Sequence, residues 1–245
     1  MVDFNGLLYG SIEIVKFNFI YLFCYTFLDL FMNNSSSYIN LQKHKQMYIL
    51  KNIIKSVSMF IIFICSLDKL YTYFINDYFN NQMVRKYGAA YVANDLLALL
   101  IVDKLPNTTI IHHKLTVTFF YILCAFDINK IFVLKLLVLY TFFSYCAFMV
   151  NLYLGLRYFI NENEIDSESK MFRKLNIIID RVRVTAYFNY LLCCGLNWSI
   201  HILLLFNRYY SNLLGYSEII YCFMLIPIIK DDLILLSWLE KKYKN

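Results

Sequence analysis

Charge, glycine and proline are all scarce in this chain: 16% of its 245 residues are Asp, Glu, Lys or Arg, and it holds six glycines and two prolines. So little charge beside so much apolar content excludes a disordered chain, and the lack of a short repeat excludes a fibrous one. The seven cysteines (24, 65, 124, 146, 193, 194, 222) form no C-x-x-C pair, are odd in number and all lie in apolar runs. Neither a disulfide framework nor a zinc site is indicated, and no metal is expected. The first twenty residues carry Asp3, Glu13 and Lys16 and lack a basic segment followed by a small-residue cleavage site, so no removable signal peptide is expected.

What the chain has is hydrophobicity: 60% apolar residues, 22 Phe, 22 Tyr and a mean hydropathy of +0.53. A water-soluble globule of this length cannot hide so much apolar surface. The formal net charge of +6 comes from basic residues scattered singly between apolar runs, which excludes a nucleic-acid partner. The composition is that of an all-α integral membrane protein.

A bilayer core of about 30 Å takes about 20 apolar residues in a helix. Seven segments approach that length, at about Leu7 to Met32, Ile53 to Phe74, Gly88 to Val102, Thr109 to Phe126, Ile131 to Leu156, Leu175 to Phe206 and Ile219 to Leu239. None alternates as a strand does, so about seven transmembrane helices are expected. Polar breaks at Asn33 to Ser37, Leu105 to Thr109 and Asn161 to Ser169 separate them. Basic residues in the short loops are biased. Lys43, Lys45, Lys51, Lys104, Arg157, Lys170, Arg173, Lys174, Lys241, Lys242 and Lys244 fall on one side, and Arg85, Lys86, Lys130 and Arg208 on the other. The bias predicts a lumenal or external N-terminus and a cytosolic C-terminus.

Ionisable groups inside spans are costly, and each is a functional candidate by default. Asp95, His112, His113, Asn151, Asp180, Arg183 and Asp232 recur at similar depth on five helices, where a shared cavity would let them satisfy one another. Lys230, Asp231 and Arg181 read as snorkelling or locally paired groups, and Asp180 with Arg183 suits either an i,i+3 ion pair or a site. The third and fourth spans are joined by about six residues, so they are expected to be antiparallel neighbours. Asp95 is then within reach of one histidine, raising the basicity of that ring as a general base or acyl acceptor requires.

In their order, these motifs resemble the TLC domain family, which contains ceramide synthases and non-synthase lipid proteins. The resemblance covers roughly Tyr48 to Tyr243. Tyr91 and Asp95 in AYVANDLL are similar to the family's aromatic and Asp, and His112 and His113 in IIHHKL to its double His. KSVSMF matches its Ser-containing segment, Asn151 its Asn, Arg181 or Arg183 its basic residue, and Trp238 precedes a basic tail. After the double His only Asp127 answers the synthases' His-Asp, with Met59 and Ser144 where His and Glu are common.

The resemblance implies residues 1–47 as an N-terminal membrane helix and cytosolic loop, 48–243 as a six-helix domain around a lipid-sized chamber, and 244–245 as a basic tail. It implies residence in the endoplasmic reticulum and a membrane lipid, acyl or sphingoid, as the partner. Tyr91, Asn151, Asp180, Arg183, Asp232 and Trp238 would form the polar layer at its headgroup. No cofactor is expected. An enzyme of this kind would use acyl-CoA as co-substrate, with His112, His113 and Asp95 as its catalytic set. A seven-helix retinal protein built on Lys230 with Asp95 as counter-ion is the reading from another class.

Overall fold

The computed structural model describes residues 2–158 and 170–240, and among these residues it is all-helical, with no strand. The helices are α1 (Phe4–Met32), a single turn α2 (Ser36–Ile39), α3 (Lys43–Asn76), α4 (Asn81–Ile101), α5 (Asn107–Ala125), α6 (Phe132–Tyr145), α7 (Phe148–Leu156), α8 (Lys170–Tyr210) and α9 (Tyr216–Glu240). The acidic break at 161–169 and the tail at 241–245 lie outside the described residues.

Each of the seven apolar segments is centred on one helix, except the fifth, which is two. The chain breaks at Cys146 and Ala147, and α6 and α7 meet at a 43° bend. Neither proline nor glycine causes this. Asn189 Nδ2 on α8 donates to the Cys146 carbonyl at 2.5 Å and Asn151 Nδ2 donates to the Ala147 carbonyl at 3.3 Å, supplying partners where the ladder is interrupted. α3 and α4 begin well before the apolar segments they contain. Asn80 Oδ1 caps α4 by accepting from Gln82 N and Met83 N. Two residues taken as loop charges are thereby moved inside: Lys51 on α3 is 4% exposed and Arg85 on α4 is 8% exposed.

Packing makes a ring. α3 lies against α7 and α4, α4 against α5, α5 against α9, α9 against α8, and α8 returns to α7 and α6. α1 lies outside, on α4, α5 and α3. Its glycines permit this close seat: a Cβ at Gly6 would overlap the Arg85 guanidinium and the Cys124 carbonyl, and one at Gly10 the Cys124 sulfur.

The outer surface carries the apolar side chains. Phe4, Phe19, Phe23 and Phe27 on α1, Phe188, Leu192 and Leu203 on α8, and Phe223 on α9 are all more than half exposed. Soluble proteins rarely expose such continuous apolar faces. α1, α3 and Lys174–Tyr210 of α8 are long and apolar enough to cross a membrane, and the bent α6–α7 pair counts as a fourth if taken as one span. α4, α5 and α9 are less apolar: α4 carries Arg85, Lys86 and Asp95, α5 the two adjacent histidines and Lys114, and α9 Lys230, Asp231 and Asp232. The protein is a helical membrane protein.

Candidate functional site

α4 and α5 are antiparallel neighbours across the turn at 102–106, and this brings Asp95 to His113, with His113 Nδ1 lying 3.2 Å from Asp95 Oδ2. The approach is oblique, and neither atom completes a well-angled hydrogen bond. The other carboxylate oxygen, Oδ1, accepts from Lys55 Nζ of α3, which also sits 4.8 Å from the centre of the Tyr91 ring. The second ring nitrogen of His113, Nε2, is 3.4 Å from Lys51 Nζ. Lys51 is one helical turn before Lys55 on the same face. Asp95 is fully buried, and His113, Lys51 and Lys55 nearly so.

The hydrogen-bonding capacities fix the tautomer that suits this row. An ammonium has only donors, so His113 Nε2 must accept from Lys51, which leaves the proton on Nδ1, facing Asp95. Lys55 thus donates to Asp95 and Lys51 to His113, whose Nδ1 faces Asp95 at 3.2 Å, across three helices. His112 is set apart from the row. Its ring is nearly perpendicular to that of His113, at 83°, and its Nδ1 lies 3.4 Å from Asp231 Oδ2 on α9. The neighbouring Asp232 takes two phenolic donors, Tyr140 to Oδ2 and Tyr190 to Oδ1, each at 2.6 Å.

These groups face one cavity of about 100 Å³, lined by residues of all seven ring helices, among them Tyr48, Lys51, Tyr91, His112, Asp232 and Trp238. A smaller void of about 50 Å³ shares Tyr91, His112, Tyr140 and Ser144 with it. That void in turn shares Gly88, Leu123 and Thr141 with the largest cavity, about 270 Å³, whose walls are mainly apolar. Where one lipid-sized chamber was expected, three voids follow one another along the bundle, divided by shared side chains. The polar cavity meets α3 at Tyr48 to Met59, and the largest at Ser66 to Thr72.

Asp95, His112, His113, Tyr91, Asp232, Asn151 and Trp238 are brought together at or behind the polar cavity. Asn151 turns partly away, donating to Ala147 O and to Met59 Sδ at 3.3 Å. Asp180 and Arg183 do not join it. They pair with each other at 2.9 Å, and Arg183 Nη1 donates to the Leu239 carbonyl at 2.5 Å, which ties α8 to the end of α9. Lys230 faces outward and is exposed, so no imine could form from it inside the bundle. Asp127 lies in the turn after α5, bonded to Asn81, away from the cavity.

Five groups at the site were missed from sequence: Lys51, Lys55, Asp231, Tyr140 and Tyr190. The i,i+4 spacing of the two lysines was the available signal for the first pair. One atom each from Asp95, His112 and His113 lies within 4.8 Å of the others, a spacing that a metal could draw together. An ammonium already on Asp95 and a second on the His113 ring oppose another cation there.

The fold and this buried ionic row define a helical membrane protein with a cavity bordered by buried polar groups. No family model, curated protein or solved structure matches the chain.

Proposed function

We propose that this is a multi-pass membrane protein of the TLC type, with seven spans, which binds a lipid carrying an acyl or sphingoid chain and serves lipid homeostasis in the endoplasmic reticulum. The N-terminus is lumenal and the C-terminus cytosolic, so the polar cavity opens in the cytosolic half. The supporting observation is the succession of voids, in which a cavity bearing His112, Asp232 and Lys51 leads to a larger apolar one. From Lys55 to Leu70 on α3 is about 22 Å at helical rise, room for a headgroup and much of a tail within a ~30 Å core.

The second reading is a ceramide-synthase-like acyltransferase using acyl-CoA. What favours it is His112, whose Nδ1 faces Asp231 and whose ring borders the cavity, an arrangement suited to general-base or acyl-accepting chemistry. One experiment separates the two readings. The purified protein is extracted for co-purifying lipid, and its membranes are incubated with acyl-CoA and a long-chain base. Retained lipid without N-acylated product supports binding, whereas product lost in His112→Ala supports the enzyme. Neither lipid nor product would overturn both.

A further inference from the structure

Lys51 differs from the other deeply buried cations. Among the described residues Lys55 pairs with Asp95, Arg85 with Asp3 and Lys135 with Asp77, each within ion-pair distance of a carboxylate. Lys51 is as deeply buried as any of them, and no carboxylate oxygen of the described residues lies within 4.0 Å of its ammonium. Its neighbours are an imidazole nitrogen of His113 and, at 5.7 Å, the face of the Tyr48 ring. A buried charge without a counter-charge is costly, and an anionic group brought beside it would lower that cost.

The carboxylates nearby are already engaged. Asp95 accepts from Lys55 and lies 3.2 Å from His113, Asp231 lies 3.4 Å from His112, and both oxygens of Asp232 take tyrosine hydroxyls. An amine entering the cavity would have to compete with Lys55 for Asp95 or with the tyrosine hydroxyls for Asp232, whereas an anion need displace only the 3.4 Å contact between Lys51 and His113. The same cavity is bordered by Pro106 and Thr109 at the start of α5, where no side chain caps the first N–H groups. Those groups and the helix dipole favour negative charge. The cavity, at about 100 Å³, has room for a headgroup of a few heavy atoms.

We propose that Lys51, with the first turn of α5, binds the oxyanion of a single-chain lipid, a carboxylate or a phosphate monoester, with its tail directed along the apolar voids. This rests on the lipid-binding reading and commits it to an anionic headgroup.

The test compares four probes of equal chain length, hexadecanoate, hexadecyl phosphate, hexadecan-1-ol and hexadecylamine, for binding to the purified full-length protein in an uncharged detergent at neutral pH. The two anions are expected to bind about tenfold or more tightly than the alcohol, as a charge-assisted hydrogen bond requires. Lys51→Met should remove that preference and Lys51→Arg should keep it. Equal binding of anion and alcohol, or tightest binding of the amine, overturns the oxyanion site while leaving the lipid site standing. Absence of binding by all four overturns both. The wild-type series decides the question even if Lys51→Met fails to fold.

Discussion

Asp95 of α4 holds Lys55 of α3 on one carboxylate oxygen and lies 3.2 Å from His113 of α5 on the other, so a single fully buried side chain ties three helices. Its low exposure makes the pair with Lys55 conditional on both members. Removing one strands the other charge, while removing both leaves only a small polar gap.

A double-mutant cycle on Asp95→Asn and Lys55→Met tests this. Each single change should destabilise by about 3 to 5 kcal/mol, and the double change by clearly less than their sum. Thermal unfolding of the four proteins in one detergent is the measurement. Additive losses would mean that the two charges are not coupled.

The helices were legible because their apolar runs are long, and the Asp95–His113 contact because a short loop forces α4 and α5 to be neighbours. The rest was hidden for identifiable reasons. Hydropathy finds the apolar centre of a helix and not its polar first turns, so Lys51 read as a loop residue although α3 begins at Lys43. Spacing shows that Asp180 and Arg183 share a face of α8, but not whether that face meets the cavity. Asp231 was assigned to its sequence neighbour Lys230, yet adjacent residues on a helix point about 100° apart, and only Asp231 turns inward to His112. The break at Cys146 carries no glycine or proline, and the Asn189 amide that supports it is distant in sequence.

The seat of α1 makes a local prediction. At Gly6 an added methyl would meet a backbone carbonyl, that of Cys124, which cannot swing aside as the Arg85 side chain can. At Gly195 an added methyl meets nothing within 4 Å. Gly6→Ala should therefore cost about 1 to 3 kcal/mol through overpacking, while Gly195→Ala should be neutral or stabilise by up to about 1 kcal/mol. Unfolding midpoints of the two variants give the comparison, and equal midpoints would argue against the close α1 packing.

Two carboxylates outside the helical spans set an acid limit on the end of the bundle away from the cavity. The Gly6 amide, followed by the Arg85 guanidinium, holds Asp3 below its ordinary value of 3.8, and the Asn81 amide with the Asn129 backbone does the same for Asp127. A carboxylate whose pKa is lowered on folding contributes stability that is fully present above its unfolded pKa and fades as pH falls through the folded one. Stability from these two groups should be flat from pH 8 to about 5 and decline below about 4. Both side chains are 39% exposed, so solvent screening keeps the effect small. Asp3→Asn and Asp127→Asn should each start less stable at neutral pH and lose less on acidification. Midpoints measured against pH for the three proteins check this, and parallel curves would show that neither carboxylate is stabilised by its fold contacts.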